Sequence, residues 1–177
     1  MKCQDYPYYI FPGCTIGKNC RVGAYTVIGS LGLLCKRGKD NKLTRVESKG
    51  SVIIEDDCDI GAGSCIQRGK IGNTVIGQGT FIGPMTNIGH DVKIGKNCII
   101  GNKTLICGFV TIGDNSRLNI GSVIRNRVKI GSNVVVGMGS MVMKDVKDNL
   151  TVVGRPAVDI VIFRKRRKIM QSLSDLE

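Results

Sequence analysis

Residues 76–146 decide the fold, and they read IGQGTFIGPMTNIGHDVKIGKNCIIGNKTLICGFVTIGDNSRLNIGSVIRNRVKIGSNVVVGMGSMVMKDV. An aliphatic residue recurs at every sixth position from Ile76 to Val142 without interruption. Four positions after each of them stands a small or β-branched residue, from Thr80 to Val146. This period fits neither a helix nor a single strand, which repeat every 3.6 and 2 residues or about that. A hexapeptide period indicates a parallel β-helix, in which each unit is one short strand and a corner, and three units complete a coil.

The positions within the unit differ in their expected environment. The aliphatic side chain should point into a narrow prism, and the small side chain four positions later should also face inward, near a corner with little room. Glycine often follows the aliphatic residue, as at Gly77, Gly89 and Gly95. We expect these glycines to provide the φ values that tight corners favour. Residues three units apart should stack in neighbouring coils, at the strand spacing of about 4.8 Å.

Two interruptions break the period. It vanishes from Leu31 to Gly50, where the sequence is polar and basic, and a four-residue insertion around Arg68–Asn73 separates Ile66 from Ile76. We interpret the segment 31–50 as an excursion from the prism. It is either a surface hairpin or the wall of a binding site, since loops on a rigid scaffold often carry function.

The end of the chain predicts a different structure. After Val146 the period stops at a turn-like cluster, and beyond Pro156 apolar residues recur at helical spacing. These residues are Val158, Ile162, Ile169, Leu173 and Leu176. The predicted organisation is an all-β parallel β-helix over residues 1–150, with an inserted loop at 31–50. A C-terminal turn and an amphipathic basic α-helix should follow over residues 151–177.

The composition fits a thin solenoid in the cytoplasm. The chain has 177 residues, with 24 glycines, no tryptophan and 5% aromatic residues. No segment approaches about eighteen consecutive apolar residues, and the first ten residues are too polar for a signal peptide. The eight cysteines lack the spacing of a zinc or redox pair, so no metal is expected. Four of them fall on the inward small position: Cys14, Cys20, Cys58 and Cys98.

A basic run, Arg164–Lys168, lies within the predicted helix of a chain whose net charge is +12. One interpretation is a solvated helix face. Another is a phosphate-rich partner, since charges attract over about 8 Å at physiological salt. An anionic membrane is a further alternative for an amphipathic basic helix. Nucleic acid is not expected as a partner, because no stacking aromatic residues are interleaved with the cations.

The chain contains one histidine, His90. It lies two positions after the inward Ile88 and next to Gly89, so the repeat directs its side chain outward at a corner. An imidazole exchanges protons near neutral pH, which makes His90 a candidate general base. Gly108 comes eighteen residues later and should lie one coil along on the same corner. The alternative is a surface histidine without a function.

These features resemble the left-handed β-helix acyltransferases with hexapeptide repeats, over nearly the whole chain. The resemblance implies a left-handed coil, a homotrimer and three sites at its interfaces. One similar branch is the lipid A enzyme UDP-3-O-acylglucosamine N-acyltransferase. The similar segments are Gly29–Gly32, Gly50–Asp57, Ile66–Gly69 and Gly137–Gly139. The chain departs from that branch at Leu33, Gln67 and Gly83, and we expect no counterpart of its amino-terminal uridine-binding domain.

The second similar branch comprises the acetyl-CoA-dependent sugar acetyltransferases of polysaccharide and glycan pathways. Ile88–Gly95 is similar to their catalytic stretch, in which an acid follows the histidine directly. Gly154–Ala157 is similar to their turn near bound CoA, with Arg155 where Asn is common. This branch implies transfer of an acetyl group from acetyl-CoA to an amine or hydroxyl of a nucleotide-linked sugar. That is the function we predict.

Roles for individual residues follow from this prediction. His90 would act as the general base, Asp91 would orient its ring, and the backbone N–H of Gly108 would face the developing oxyanion. Asn87 is an outward neighbour and a candidate for contact with the acceptor. The candidates for binding the donor are Gly137, Ser140, Lys144, Arg155 and Pro156.

Two alternative functions stay open. A long-chain acyl group could come from an acyl carrier protein, which is acidic and suits the basic surface as well as CoA does. A non-catalytic β-helix scaffold would also explain the repeat, because the hexad specifies shape and not chemistry. Carbonic anhydrases of this fold are excluded, because they need three histidines around each zinc ion and this chain supplies one.

Overall fold

The structure is a computed structural model that describes residues 7–174. Its elements are very short strands and one terminal helix, because a six-residue unit leaves room for few residues between two corners. In chain order the elements are β1 (Tyr9–Ile10), β2 (Thr15–Ile16), β3 (Arg21–Val22), β4 (Val27–Ser30), β5 (Cys35–Arg37), β6 (Leu43–Arg45), β7 (Val52–Ile54), β8 (Asp59–Ile60), β9 (Cys65–Gln67), β10 (Thr74–Ile76), β11 (Phe81–Ile82), β12 (Asn87–Ile88), β13 (Lys93–Ile94), β14 (Ile99–Ile100), β15 (Leu105–Ile106), β16 (Thr111–Ile112), β17 (Arg117–Leu118), β18 (Val123–Ile124), β19 (Lys129–Ile130), β20 (Val135–Val136), β21 (Met141–Val142), β22 (Thr151–Gly154), β23 (Ala157–Asp159) and α1 (Ile160–Ser174).

Three parallel sheets form the sides of a prism. Sheet A has the order β1-β4-β9-β12-β15-β18-β21, and sheet B the order β2-β7-β10-β13-β16-β19. Sheet C has the order β3-β8-β11-β14-β17-β20-β22, with β23 antiparallel at its end. Neighbours in the regular part of each sheet are three strands apart in sequence, so the chain visits the three sides in turn. The parallel β-helix predicted from the six-residue period is confirmed.

The register of the regular coils is eighteen residues. Val75 pairs with Lys93 in sheet B, and Leu105 pairs with Val123 in sheet A. Each of these outward residues is followed by an inward aliphatic residue that stacks on its counterpart in the next coil. Equivalent residues therefore form straight columns along the prism.

The prism interior is an aliphatic core with small polar groups near its corners. Ile106 is fully buried, and the small residues four positions after the aliphatic ones are buried as well. The Ser116 hydroxyl donates to the carbonyl of Gly131 at 2.8 Å, and the Cys98 thiol lies 3.2 Å from the carbonyl of Gly113. These two groups are thus buried with an acceptor for their proton. The predicted inward positions are confirmed.

The glycines that follow the aliphatic residues have a different role from the one expected. Gly77, Gly89 and Gly95 do not have a positive φ, so the expectation that they supply unusual φ values was wrong. A Cβ added to Gly89 would lie 2.7 Å from the backbone nitrogen of Gly108, because neighbouring coils approach closely there. The left-handed conformation occurs two positions after these glycines, as at Asn97, which follows Gly95 and has a φ of 53°. Asparagine tolerates it because its short polar side chain can hydrogen-bond locally.

Both interruptions leave the prism intact. Thr15 pairs with Ile53, which is one coil plus a twenty-residue excursion away. Val52 pairs with Thr74, one coil plus four residues away. The excursion at 31–50 contains an exposed antiparallel hairpin of β5 and β6, and the segment Arg68–Asn73 forms a compact turn. The extra residues therefore loop out of the prism without disturbing its register.

The prism continues past the boundary expected at residue 150. β22 pairs in parallel with β20, with Val135 opposite Thr151, and closes the last coil of sheet C. β23 then turns back along β22, with Val153 opposite Val158. Val158 was predicted to begin the helix, but it lies in β23 because its backbone pairs with that strand.

The C-terminal helix α1 is confirmed, but its predicted apolar stripe is not buried. Asp159 caps the helix, since its Oδ1 accepts the N–H of Val161 at 2.8 Å. Ile162 and Ile169 are 46% and 59% exposed, and the helix instead brings Phe163 against the end of β22. The side chain of Leu173 and all of Leu176 lie outside the described residues. No helix within residues 7–174 combines the length and the apolar character needed to cross a bilayer.

Candidate active site

His90 lies outside the prism at the corner that follows sheet A. Ile88 at the end of β12 faces the core, and the chain turns at Gly89 before the imidazole. The His90 side chain is only 15% exposed. The Phe109 ring packs perpendicular to it at a centroid distance of 4.9 Å, and a Cβ added to Gly32 would lie 3.7 Å from His90 Cδ2. The repeat predicts the outward placement, but not this enclosure.

Asp91 is paired with His90 and is itself held by backbone N–H groups. His90 Nδ1 lies 2.9 Å from Asp91 Oδ2. Oδ2 also accepts the N–H of Lys70 at 2.6 Å, while Oδ1 accepts those of Ile71 at 3.0 Å and Gly72 at 2.8 Å. These three donors belong to the turn at 68–73. The carboxylate is 7% exposed, so it is buried with a full set of partners.

The ionisation of Asp91 decides which nitrogen of His90 carries a proton. Burial raises the pKa of the Asp91 carboxyl, but the hydrogen bonds from His90 and from the three backbone N–H groups outweigh it, and the pKa is lowered. An ionised carboxylate can only accept, so the proton of a neutral imidazole belongs on Nδ1. Nε2 is then left free to accept a proton from another molecule.

Gly108 lies directly beside the free nitrogen of His90. A Cβ added at Gly108 would come 2.5 Å from His90 Nε2, so a larger residue would collide with the ring. The φ of Gly108 is not positive, and it is space rather than backbone conformation that requires glycine here. The neighbouring N–H groups of Cys107 and Phe109 donate to carbonyls of adjacent coils, whereas that of Gly108 has no acceptor within residues 7–174. An open N–H group therefore lies beside Nε2.

Phe109 and Arg127 form a stack beside the imidazole. The Arg127 guanidinium lies 4.6 Å from the centre of the Phe109 ring, which is perpendicular to the His90 ring. Phe109 has a φ of 61°, a conformation that bulky residues rarely adopt. The imidazole therefore packs against an aromatic ring that is itself in contact with a cation.

Both interruptions of the repeat meet at this corner. Gly32 at the start of the excursion lies near His90, since a Cβ added there would come 3.7 Å from His90 Cδ2, and the Arg45 side chain donates to the Gly32 carbonyl at 3.2 Å. At the other end of the excursion, the N–H of Gly50 donates to the carbonyl of Gly69 at 3.0 Å. The segment 31–50 is thus a surface hairpin whose base forms one wall beside His90.

A single column of corner residues runs from His90 towards the C-terminal coils. The eighteen-residue pairings of β12, β15, β18 and β21 define it. Its members are His90, Gly108, Asn126 and Lys144. Lys144 is exposed and lies three coils from His90, which corresponds to roughly 14 Å. Its ammonium group has no hydrogen bond or ion pair within the part of the chain that the structure describes.

The donor-binding candidates near the C terminus do not all lie in one place. Arg155 and Pro156 are exposed and line a cavity of about 320 Å³, together with Phe163 and the side chains of Arg166 and Arg167 from α1. The Arg155 Nε donates to the Gly139 carbonyl at 2.6 Å. The cavity therefore carries three guanidinium groups over an apolar floor, which suits a phosphate group.

Ser140 is a correction to the predicted donor path. It is 1% exposed, and its hydroxyl accepts the N–H of Gly154 at 3.1 Å, so it packs inside the prism. The inward small position of the repeat already indicated this placement. Gly137 lies against β22, since a Cβ there would come 2.6 Å from Val153 Cγ1. Neither residue presents a side chain to an outer groove.

Asn87 and Cys107 flank the candidate site without a hydrogen bond to it among the described residues. Asn87 is half-buried on sheet A, three residues before His90. Burial raises the pKa of the Cys107 thiol, which disfavours the reactive thiolate. This agrees with an unreactive thiol next to Gly108.

Two family models match the chain. The bacterial transferase hexapeptide (six repeats) matches residues 73–108 and 109–144, and the hexapeptide repeat of succinyl-transferase matches residues 51–72. Together they cover more than half of the chain. It belongs to the hexapeptide-repeat β-helix acyltransferases.

A relative within this family is the UDP-3-O-acylglucosamine N-acyltransferase of Rhodopseudomonas palustris. It is 38% identical over a 93-position alignment that covers 44% of this chain and 26% of that protein. The chain thus spans about a quarter of the length of this relative, and other matched relatives give similar values.

Solved structures of the family share the fold. A UDP-N-acetylglucosamine acyltransferase from Bacteroides fragilis superposes with a TM-score of 0.76 and 25% identity, over 90% of this chain and 62% of that one. A hexapeptide transferase family protein from Anaplasma phagocytophilum has a TM-score of 0.65 and 19% identity, over 97% of both chains. The predicted left-handed parallel β-helix is confirmed.

Several residues of this hexapeptide-family site were not predicted from the sequence. Phe109 and Arg127 were within reach of the repeat, since they follow Asp91 by eighteen and thirty-six residues. The N–H donors of the turn at 70–72 could not be identified from the repeat, because every residue except proline carries a backbone N–H. The only sequence signal for them is the break in the period between Ile66 and Ile76.

Proposed function

We propose that this chain transfers an acyl group from a thioester to an amine or hydroxyl group of a sugar, with His90 as the general base. The observation that carries the proposal is the 2.9 Å hydrogen bond between His90 Nδ1 and Asp91 Oδ2, which leaves Nε2 as an acceptor beside Gly108. Membership of the acyltransferase family supports the reaction type. A β-helix that only served as a scaffold would not need a buried carboxylate behind an imidazole.

The reaction needs one proton to move twice. His90 Nε2 removes the proton of the acceptor as its nitrogen or oxygen attacks the thioester carbonyl. Asp91 stabilises the imidazolium that forms, and the Gly108 N–H donates to the oxyanion of the tetrahedral intermediate. The carbon–sulfur bond then breaks, and the leaving thiolate takes the proton from His90. The products are the acylated sugar and a free thiol.

We propose acetyl-CoA as the donor. The support is Lys144, which lies on the same column as His90, roughly 14 Å away. A phosphate-bearing thioester with an extended arm would bind along this column, with a phosphate at Lys144 and its carbonyl at Gly108. The cavity at Arg155 holds further guanidinium groups but adjoins Gly139, at the preceding corner.

A second candidate donor is a long-chain acyl group on an acyl carrier protein. It is favoured by the relative in Rhodopseudomonas palustris, whose name describes N-acylation of a UDP-linked acylglucosamine. For either donor, that name supports a nucleotide-linked amino sugar as the acceptor. Cations that suit the phosphates of CoA also suit an acidic carrier protein, so charge does not separate the two.

We also propose a homotrimer, as the resemblance implied. The support is the outer face of sheet A, where Leu105, Val123 and Met141 form an apolar column next to the His90 corner. The equivalent face of sheet B carries Lys93 and Lys129, and that of sheet C places Arg117 between Ile99 and Val135. An apolar face typically packs against another subunit. Val123→Lys should then lower both the molar mass measured by light scattering and the activity; an unchanged mass would contradict the interface.

The experiment that tests the function is a two-donor assay on the purified chain. Acetyl-CoA and a long-chain acyl carrier protein are each offered with UDP-linked amino sugars, and the products are weighed by mass spectrometry. His90→Ala should slow turnover about 10²- to 10⁴-fold without lowering the melting temperature. Lys129→Ala, an exposed change on sheet B, is the matched control and should leave turnover unchanged. Full activity of His90→Ala would remove the general base from the mechanism.

A further inference from the structure

The turn at Arg68–Asn73 has no counterpart in the regular coils. Sheet A passes from β9 to β12 across it, with Ile66 paired to Ile88 at a spacing of twenty-two residues instead of eighteen. The four additional residues therefore project from the prism one coil before His90. Their position makes them neighbours of the imidazole and its acid.

The turn contacts the acid through its backbone alone. The N–H groups of Lys70, Ile71 and Gly72 converge on the two carboxylate oxygens of Asp91 at 2.6, 3.0 and 2.8 Å. The Ile71 side chain is 74% exposed and packs on nothing that would explain its position. Three consecutive N–H groups that point at one carboxylate form an anion-binding concavity.

The turn is held rigidly in this orientation. A Cβ added to Gly50 or Gly69 would come 1.6 or 1.7 Å from the Gly72 carbonyl oxygen, so only glycine allows the strands to approach this closely. The Lys93 ammonium donates to the carbonyl of Asn73, at the end of the turn. The chain thus fixes the three donors before any substrate is present.

We propose that the turn at Lys70–Gly72 is a positioning element that holds Asp91 as an acceptor for four donors and thereby keeps His90 in the Nδ1–H tautomer. Because the carboxylate is buried and accepts three N–H groups, rotation away from the imidazole would break these hydrogen bonds. Nε2 then faces Gly108 in every molecule. The catalytic meaning of this arrangement rests on the proposed function, but the tautomer is a property of the free protein.

His90 is the only histidine of the chain, so its tautomer can be measured without assignment. In protein labelled with ¹⁵N-histidine, above the pH at which the ring is protonated, the two nitrogen shifts should report a proton on Nδ1 and none on Nε2. A ring protonated on Nε2, or a rapid mixture of both forms, would overturn the proposal. This measurement needs no substrate.

A pair of variants at one position separates the N–H group from the side chain. Ile71→Pro removes one donor to Asp91 Oδ1, whereas Ile71→Ala removes only the exposed side chain and is the matched control. Ile71→Pro should mix the two tautomers and lower kcat by about 10- to 100-fold, with the KM of the donor unchanged. Ile71→Ala should behave as the original chain.

A second variant covers the case in which proline prevents folding. Gly69→Ala keeps every N–H group but pushes against the Gly72 carbonyl, and it should mix the tautomers as Ile71→Pro does. Retention of the pure Nδ1–H form in a folded Ile71→Pro or Gly69→Ala variant would refute the role of the turn, even if the enzyme were active. Conversely, if the unmodified chain were inactive but showed the ¹⁵N shifts of the Nδ1–H tautomer, the proposed function would be contradicted and this inference would still hold.

Discussion

The regular coils between Ile76 and Val146 and the interrupted part between Leu31 and Asn73 differ in what they contribute. In the regular coils every inward position is buried, and the strand pairings from β10 to β21 follow the eighteen-residue register. In the interrupted part the added residues are largely exposed, as Leu33 is at 91%. Yet it is this part that supplies Gly32 and the donors at 70–72 around the His90 corner.

The two regions contribute differently to stability and to the candidate site. A regular repeat gives every corner similar neighbours, so by itself it gives no side chain a distinct environment or a shifted pKa. The His90 corner differs from those one and two coils later because residues outside the repeat reach it. The regular coils thus supply His90, Asp91 and Gly108, and the two interruptions supply the groups that enclose and orient them.

Removing core volume should have the largest effect, and only in the regular coils. Ile106→Ala should lower the free energy of unfolding by about 2–5 kcal/mol, because Ile106 is fully buried and its column is continuous. Leu33→Ala should change it by less than about 0.5 kcal/mol, because Leu33 is exposed. Urea denaturation followed by circular dichroism measures both. A large loss in Leu33→Ala would mean that the excursion belongs to the core.

Filling the space beside the imidazole should come next. Gly108→Ala should reduce kcat/KM by roughly 10²-fold, or about 2.7 kcal/mol, because its Cβ would lie 2.5 Å from His90 Nε2 and displace the ring. Since the φ of Gly108 is not positive, the backbone itself tolerates alanine. Any loss of stability in Gly108→Ala should therefore come from the clash with the imidazole. The stability should return when His90→Ala is added. A double variant as unstable as Gly108→Ala alone would argue against the contact.

The acid should contribute to stability in a pH-dependent way. Because the pKa of Asp91 is lowered in the folded chain, its contribution is present above the unfolded value of about 3.9 and is lost as the pH falls through the lower folded pKa. Asp91→Asn places an amide donor against N–H donors and should be destabilised most at neutral pH. The gap between the two chains in melting temperature should narrow towards acid pH. A gap of constant size would contradict the ionised pairing.

The smallest effect is expected from the stack at the edge of the site. Arg127→Ala removes the cation over the Phe109 ring, which corresponds to about 0.5–1 kcal/mol for an exposed pair. Phe109 would still contact His90, so activity should fall only a few-fold. Lys129→Ala, which has no ring partner, serves as the comparison in the same thermal melts. A large loss of activity would indicate that Arg127 contacts a substrate.

The parts of the molecule that the sequence predicted are those in which residue type and position are linked by the repeat. Inward positions such as Ile106 and the stacking of His90 on Gly108 follow from counting in eighteens. The boundary at 150 and the start of the helix at Val158 were missed, because β22 and β23 pair through their backbones without the six-residue pattern. The donors to Asp91 were missed for the same reason, since a backbone N–H leaves no trace in the choice of residue.

The column from His90 to Lys144 fixes the distance between these two residues in whole coils. Between β12 and β21, a change of chain length that preserves these pairings comes in steps of eighteen residues, and each step moves one end of the column by about 4.8 Å relative to the other. Shorter insertions loop out, as those at 31–50 and 68–73 do, and leave the separation unaltered. The distance between His90 and Lys144 can therefore change only by whole coils, and adding or deleting one coil between Gly108 and Lys144 would change it by about 4.8 Å.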